Sequence, residues 1–258
     1  MTSSLPRSVI LAVAALALAF GLSSAAGHAA EPAILAKARA YLGPDALLDG
    51  MTSIHFFGTI TAADPADAAK TTHTAIEIFC QKPVRQRLVK TSDQAIEVTA
   101  LDGYDAWQRV QSRSDPNKVR QNFLGTLQIK RLRASTWESL FFYRGLEQRG
   151  GRIEDMGPVN VDGVAYRKVA FVYEPDIIFY RYFDPGTGRL VYTETESGAI
   201  QREQGEIMAG GLRFSKSVQI VGKNAAGQSQ TITIDFEKIV LNENFPDDLF
   251  RVPLLSVK

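Results

Sequence analysis

The order of apolar and polar residues along the chain predicts one helix followed by a long series of strands. Between Glu31 and Leu42 apolar residues recur with the period of a helix, and Gly43-Pro44 ends the run. From Thr52 the period changes to two, which is the pattern of half-buried strands. Short turn sequences between the runs favour antiparallel hairpins. About eleven such runs are found, near residues 52–60, 76–80, 85–90, 95–101, 105–111, 164–173, 177–183, 189–195, 200–208, 212–222 and 229–241.

The strand pattern is interrupted midway by a segment with a helical signal. The segment that starts at Ser135 has the spacing of a capping box and apolar residues on one helical face, and Gly150-Gly151 ends it. Residues 117–133 fit no single pattern. So many antiparallel strands predict a mainly β fold, either a sandwich or an incomplete, strongly curved antiparallel barrel. The N-terminal helix and the mid-chain helical insertion would then cover its open side as a lid.

The first 29 residues have the features of a secretory signal peptide. Arg7 gives the positive start, Val9–Phe20 is an apolar run, and small residues precede the predicted cleavage after Ala29. An uncleaved membrane anchor is the alternative, although the run is too short to span a bilayer comfortably. We therefore expect a periplasmic protein, soluble after cleavage, with a single domain over residues 30–258 and a monomeric state.

Charge and composition exclude several classes of function. The 29 basic and 28 acidic side chains nearly cancel, so no net field attracts nucleic acid. The single cysteine, Cys80, excludes a disulfide within the chain, and its apolar strand predicts that it is buried. His55 and His73 lie in no metal-binding spacing and are expected at the surface or in turns, and no nucleophile motif is present. We expect no metal, no cofactor and no catalytic residues.

Two sets of charged residues leave other interpretations open. Glu194 and Glu196 share a strand face, and Glu203 and Glu206 lie on the next run. They fit either the acid and base pair of a hydrolase or a solvated outer face. Five basic residues near the insertion fit a surface that approaches anionic lipid headgroups or an acidic partner, or else a solvated helix face, namely Lys118, Arg120, Lys130, Arg131 and Arg133.

A set of short motifs runs in order through the chain. They are Lys82-Pro83 before a strand with Arg87, Asp102-Gly103 before Trp107, Val161-Asp162-Gly163 before Tyr166, Tyr182-Phe183-Asp184 before Thr187, Gly210 to Phe214, and Leu241 to Phe250. Together with the opening helix and the helical insertion, this order resembles the LolA-like family of periplasmic lipoprotein carriers, which includes outer-membrane lipoprotein-sorting proteins.

The resemblance implies an incomplete antiparallel barrel with an apolar concave face and helices that act as a movable lid. Such proteins receive acyl chains at the inner membrane, from a transporter, and pass them to an outer-membrane acceptor without covalent chemistry. At the position of Lys82 the family carriers have an arginine that touches the lid, so Lys82 is the expected lid contact. Lysine lacks the planar fork with which arginine makes several directed hydrogen bonds.

An acyl-binding cavity needs an apolar wall, because exposing a chain to water costs about 0.8 kcal/mol per methylene. The strands and the insertion offer candidate lining residues, namely Phe56, Ile78, Val98, Phe171, Phe179, Ile234 and Phe236 from the strands and Trp137, Leu140 and Phe141 from the lid. The same residues would also form the ordinary core of a β-sandwich. The predicted function is carriage of lipid or lipoprotein acyl chains toward the outer membrane. The alternatives are an envelope sensor or protein-interaction module whose lid is packed shut, and a hydrolase with an unrecognised site.

Overall fold

The structure, a computed structural model, describes residues 31–64, 67–223 and 227–253. The predicted signal peptide, residues 1–29, lies outside the described residues. Internal contacts group residues 31–258 into one unit. No helix in the three described ranges combines the length and the apolar character needed to cross a membrane.

Strands make up most of the regular structure, so the predicted mainly β fold is confirmed. The described residues form three α-helices, α1 (Ala33–Leu42), α2 (Asp45–Asp49) and α3 (Thr126–Phe141), and short 3-10 helices at Glu147–Arg149 and Asp247–Leu249. The fifteen described strands are β1 (Ser53–Asp64), β2 (Asp67–Gln81), β3 (Arg85–Thr91), β4 (Ala95–Asp102), β5 (Asp105–Ser112), β6 (Val119–Phe123), β7 (Arg152–Val161), β8 (Val164–Glu174), β9 (Ile177–Phe183), β10 (Leu190–Thr195), β11 (Ile200–Gln204), β12 (Ile207–Ala209), β13 (Leu212–Phe214), β14 (Ser217–Lys223) and β15 (Ser229–Leu241).

Thirteen of the described strands form one antiparallel sheet that is not closed. Its order is β6-β5-β4-β3-β2-β1-β15-β14-β11-β10-β9-β8-β7, and β12 and β13 form a separate hairpin. The two halves of the sheet join where β1 pairs with β15, with Ile54 opposite Leu241 and Ala62 opposite Ile232. The edge strands β6 and β7 follow each other in the chain, and α3 lies in the segment that connects them. The helix is therefore attached through the backbone to both edges of the sheet.

The described part of the chain contains more strands than the predicted number of about eleven. β6 and β7 are edge strands with mostly exposed or half-buried side chains, so they lack the apolar alternation of a strand with one buried face. Pro158 in β7 is a residue that edge strands tolerate. The predicted runs 200–208 and 212–222 each divide in two. Gly205, with a φ of 61°, separates β11 from β12, and Ser215-Lys216 separates β13 from β14.

The insertion helix α3 begins at Thr126 instead of Ser135. The side-chain oxygen of Gln128 accepts a hydrogen bond from the Gly125 N–H at 3.0 Å and so satisfies a backbone donor at the helix start. Ser135 lies inside the helix and donates to the carbonyl three residues before it at 3.0 Å. The predicted capping box is therefore wrong. The ambiguous residues 117–133 contain β6 and the first half of α3.

The opening helix α1 packs its apolar face on β8, β9 and β10. Leu35 and Ala38 are fully buried there in one cluster with Phe183. In the turn before β10, a Cβ on Gly188 would lie 2.6 Å from the carbonyl carbon of Lys37. Because the φ of Gly188 is also 81°, only glycine lets this turn approach the helix without strain.

The last described residues cover the convex face of the first half of the sheet, on the side away from α3. Trp107 Nε1 donates to the carbonyl of Phe250 at 3.0 Å, and Arg87 Nη1 donates to the carbonyl of the preceding residue at 2.7 Å. Val98 packs in this layer beside Trp107 and Val252. The prediction that Val98 lines the concave face is therefore wrong, since its side chain points to the opposite side of β4.

Two residues singled out for their chemistry are buried in the sheet. His55 is 5% exposed, so it is not the surface residue predicted. Its ring nitrogens lie 2.9 Å from Glu243 Oε2 and 3.2 Å from Glu77 Oε2, and its ring stacks on Phe79. Cys80 is fully buried, as predicted, and burial raises the pKa of its thiol to about 12. Such a thiol is not a nucleophile at neutral pH.

Candidate functional site

A cavity of about 310 Å³ lies between α3 and the concave face of the sheet. We call it the first cavity. Its lining comes from β1, β2 and β3 and also from β9, β10, β11, β14 and β15. β3 and β9 are seven steps apart in the sheet order, which corresponds to about 34 Å in a flat sheet. The sheet must therefore curve around the cavity for both strands to reach it.

One end of the first cavity is aromatic. The ring centroids of Phe56 and Phe236 lie 5.1 Å apart, and Phe214 meets Phe56 edge-on at 6.1 Å. These rings come from β1, β15 and β13. Further apolar residues of the lining are Leu42, Ile78, Phe142, Phe179, Leu190 and Val218. A surface of this kind suits a hydrocarbon chain.

A buried ionic cluster interrupts the apolar lining. Arg181 Nη2 lies 2.5 Å from Glu138 Oε2, and the two side chains are only 11% and 6% exposed. The Tyr173 hydroxyl donates a hydrogen bond to the other oxygen of Glu138. Glu203 also lines the cavity, and its carboxylate accepts a hydrogen bond from the Ser215 hydroxyl. The cavity is therefore amphipathic, whereas the sequence predicts an apolar one.

Burial changes the proton affinity of both carboxyl groups in this cluster. It raises the pKa of Glu138 to about 7, although the Arg181 guanidinium acts in the opposite direction. Burial also raises the pKa of Glu203, against the opposing effect of the hydrogen bond from Ser215. Near neutral pH Glu138 is thus partly protonated, and the cluster holds less negative charge than its residue types suggest.

The face of α3 that points into the first cavity is mostly polar. Ser135, Glu138, Ser139 and Phe142 recur at helical spacing, and all four line the cavity. A ligand in the first cavity would therefore meet two hydroxyls and a carboxyl group on α3.

Three apolar residues of α3, Trp137, Leu140 and Phe141, attach the helix to the sheet and do not line the first cavity. Trp137 stacks on Phe141 with ring centroids 3.4 Å apart and packs in one cluster with Leu101. Leu140 is fully buried in another cluster, together with Ile54. The three residues predicted as lid lining are thus the residues that bury apolar surface to hold the helix in place.

The structure separates the strand residues that were predicted to line an acyl site. Phe171 is fully buried in the core under α1, and Ile234 is half-buried on β15 outside the lining. Ile234 shares a face of β15 with the lining residue Phe236, whereas Phe171 lies on β8, which contributes no residue to the lining, opposite Phe179. Four of the predicted residues are found in the lining of the first cavity, namely Phe56, Ile78, Phe179 and Phe236.

Lys82 contacts α3 through an aromatic ring. Its Nζ lies 5.2 Å from the centroid of the Phe141 ring, which is a cation–π distance. Partial burial lowers the pKa of Lys82, while the Asp49 carboxylate acts in the opposite direction. The residue predicted as a lid contact thus touches the helix with its ammonium group over a ring.

A second cavity, of about 450 Å³, adjoins the first. Four residues line both spaces, namely Ser135, Phe179, Thr195 and Gln201. The rest of the second lining is Thr99, Gln108, Leu124, Gln128, Arg131, Leu132, Glu196, Ser197 and Ala199. Because four residues line both, the two cavities lie next to each other along α3.

Charged side chains bridge the wall of each cavity. In the first cavity the Tyr41 hydroxyl donates to Glu206, and Arg213 Nε lies 2.9 Å from the other Glu206 oxygen. In the second cavity Arg131 Nε donates to Glu196 Oε1 at 2.5 Å, which joins α3 to the turn after β10. The contacts of Glu206 with Tyr41 and Arg213 connect α1 to the β12–β13 hairpin. Polar side chains therefore link different elements at the wall of each cavity.

The charged residues that sequence alone left open are mostly paired or inside the cavities. Glu203 and Glu206 line the first cavity and Glu196 lines the second, so these three do not lie on the outer face of the sheet, although the Glu206 side chain is 49% exposed. Lys130 Nζ lies 2.7 Å from Glu174 Oε2. The described residues contain no group of three or more His, Cys, Asp or Glu side chains placed to hold a metal ion.

Arg181 was not identified from the sequence as a cavity residue, although the alternation of buried positions in β9 points to it. Ile177, Phe179 and Phe183 are buried on one face of β9, and Arg181 occupies the same set of alternating positions. A charged residue at such a position is rare unless it is paired, so it indicates a polar partner inside the fold. Here that partner is Glu138.

Comparison with known proteins identifies the fold. No protein-family model matches the sequence. No curated protein matches it with significant similarity. A LolA superfamily protein from Nitrosomonas europaea has a similar structure, with a TM-score of 0.54 and 12% identity over 85% of this chain and 96% of that one.

Two further solved structures show the same likeness. A DUF1329 family protein from Desulfovibrio piger gives a TM-score of 0.53 at 9% identity, covering 85% of this chain and 96% of that one. A domain from Vibrio parahaemolyticus, named as an outer membrane lipoprotein-sorting protein, gives 0.52 at 7% identity, covering 84% of this chain and 94% of that one. The chain therefore has a LolA-like fold.

Proposed function

We propose that this chain is a periplasmic carrier that holds the acyl chain of a lipid or lipoprotein in the first cavity and moves it toward the outer membrane. The observation that carries the proposal is the aromatic end of that cavity, walled by an open, curved sheet and covered by α3. The LolA-like fold supports it, since a structure that shares the fold is named as a lipoprotein-sorting domain. An inner-membrane transporter as donor and an outer-membrane acceptor are part of the proposal.

The ionic cluster adds a requirement on the ligand. Arg181 Nε is buried and has no hydrogen-bond partner among the described residues. A buried donor left unpaired costs about 1–3 kcal/mol, so an acceptor on the ligand would stabilise the complex. The carbonyl oxygen of an ester- or amide-linked acyl chain is such an acceptor, and it lies at the end of a hydrocarbon. We expect the carbonyl near Arg181 and the chain directed toward Phe56 and Phe236.

The two alternative functions fit the site less well. A sensor or interaction module with its lid packed shut would leave no space under α3, where a cavity of about 310 Å³ lies. A hydrolase is favoured by one observation, the raised pKa of Glu138. However, Glu138 is bonded to Arg181 and Tyr173, and the described lining contains no histidine or cysteine that would form a nucleophile and base pair.

Binding of a fluorescent fatty acyl probe to the purified protein tests the proposal. We expect saturable binding with enhanced probe fluorescence. Phe236→Glu places a carboxylate at the aromatic end and should weaken binding at least about tenfold, because a charge beside hydrocarbon is costly to bury. Lys238→Glu is the matched control, since Lys238 is exposed on the same strand and should leave binding unchanged.

Mass spectrometry of material that co-purifies with the protein from envelope fractions identifies the natural ligand. Recovery of an acylated lipid or lipoprotein would support carriage. Recovery of no lipid, together with no binding of the probe by the folded wild-type protein, would refute it. Equal binding by the Phe236→Glu variant and the wild type would show that the chain does not enter this cavity.

A further inference from the structure

We propose that the second cavity is a headgroup site that takes a neutral, hydroxyl-rich group such as a sugar. This inference rests on the proposed function, because it assigns the acyl chain of the same ligand to the first cavity. It concerns a different part of the space, lined by residues of β4, β5, β10, β11 and the first half of α3. The ligand would then be a glycolipid or another lipid with a polyhydroxyl head.

The position of the second cavity relative to the first is the first argument. Ser135, Phe179, Thr195 and Gln201 belong to both linings, so the two cavities adjoin, and the proposed ligand extends from one into the other. The aromatic rings lie only in the first cavity, apart from the shared Phe179. An amphiphile therefore has one orientation that places its hydrocarbon on the rings and its head in the second cavity.

The chemistry of the lining is the second argument. Seven of its side chains are hydroxyls or amides, namely Thr99, Gln108, Gln128, Ser135, Thr195, Ser197 and Gln201. Hydroxyl and amide groups both donate and accept hydrogen bonds, and so do the hydroxyls of a sugar. Thr99 and Gln108 face each other across β4 and β5, and neither side chain makes a hydrogen bond to any described residue. These two groups are free to bind a ligand.

The charge of the lining is the third argument, because it favours a neutral headgroup over a phosphate headgroup. Arg131 and Glu196 are the charged side chains of the second lining, and Arg131 Nε lies 2.5 Å from Glu196 Oε1. Glu196 is only 17% exposed, so the pair is partly shielded from water. Because each charge cancels the other, the cavity has no surplus of positive charge with which to select an anionic headgroup.

Calorimetric binding of three ligands with the same alkyl chain tests the inference. Decyl maltoside, decanol and decyl phosphate are each titrated below their micelle concentrations. We expect decyl maltoside to bind at least about tenfold more tightly than the other two, because its head can form hydrogen bonds with half-buried groups such as Thr99 and Gln108. Gln108→Leu should remove most of that advantage and leave decanol binding unchanged.

Two further variants keep the test decisive. Gln128→Leu changes an exposed helix position and removes one exposed hydrogen bond, to the Gly125 N–H. The loss of one such bond should leave the protein folded even if Gln108→Leu does not fold, and the variant should also reduce the preference for maltoside. Gln94→Leu makes the same substitution at an exposed turn outside both cavities and should have no effect.

The outcomes distinguish this inference from the proposed function. Two outcomes would overturn the headgroup site. One is that decyl phosphate binds as tightly as decyl maltoside or more tightly, and the other is that the preference for maltoside remains in both Gln108→Leu and Gln128→Leu. In either case, binding of decanol would still support the acyl cavity. Absence of binding for all three ligands to the folded wild type would refute the acyl cavity itself, and the headgroup site with it.

Discussion

The stability of this protein should fall as the pH rises through the neutral range, and Glu138 should be a main cause. Its carboxyl group is 6% exposed, and burial raises its pKa to about 7 from an ordinary value of 4.5. The folded state therefore binds a proton more tightly than the unfolded state. The resulting stabilisation is fully present below about pH 4.5 and is lost as the pH rises through about 7.

The size of the effect follows from the two pKa values. Each tenfold difference in proton affinity corresponds to about 1.4 kcal/mol, so the free energy of unfolding should decrease by about 3 kcal/mol over this window on account of Glu138. Glu138→Gln removes the titrating group and keeps its shape. Glu203 adds a dependence of the same sign, but it is present in both proteins. The difference between wild type and Glu138→Gln therefore measures the contribution of Glu138, including its interaction with Glu203.

Urea unfolding of both proteins at intervals from pH 4.5 to 8 measures this difference. We expect the stability of the wild type relative to the variant to fall by about 3 kcal/mol across the range. Glu154→Gln is the matched control, because Glu154 is exposed on the edge strand β7 and lacks the burial that causes the effect. A difference that stays constant or grows with pH would refute the reasoning, since it would mean that Arg181 keeps Glu138 ionised throughout.

Two further predictions concern the packing of α1. Leu35→Ala should lower the free energy of unfolding by about 3 kcal/mol, because Leu35 is fully buried, whereas Leu47→Ala at a 42% exposed position should change it by about 0.5 kcal/mol or less in urea unfolding. Gly188→Ala should cost about 1–3 kcal/mol more than Gly103→Ala in thermal unfolding, since both have positive φ values but only Gly188 meets the α1 backbone. Equal losses within either pair would contradict the packing described for α1.

The turns and the main strands could be predicted because local sequence determines them. Asp184 Oδ1 accepts hydrogen bonds from the N–H and the hydroxyl of Thr187 at 2.6 and 2.8 Å, so this turn needs only residues three positions apart. Some of the motifs that carry the family resemblance make contacts with distant parts of the chain instead. Arg87 and Trp107 dock the C-terminal segment on the convex face. These motifs stabilise the fold, and they do not include Glu138, Arg181 or Glu203, the charged residues of the buried cluster.

The ligand site could be predicted only in part because it depends on contacts between distant elements. The apolar stripe of α3 predicts the buried face of the helix correctly, but the stripe packs on the sheet and the opposite face lines the cavity. Glu138 and Arg181 are more than forty positions apart in the chain, and each offsets the cost of burying the other. The position of Arg181 in β9 indicates a buried polar partner, but it does not identify Glu138 as that partner, because the two residues meet only in the folded chain.

The pairing of β1 with β15 determines when the binding space can first exist. Ile54 and Leu241 are direct neighbours across this junction although most of the chain separates them. A ribosome must therefore release nearly the whole sequence before Phe56 and Phe236 can meet. Pairings of such long range form slowly, because the entropy of closing the loop is lost before the contacts compensate for it. Hairpins within each half of the sheet can fold early, but a nascent or truncated chain that lacks β15 cannot form the complete first cavity.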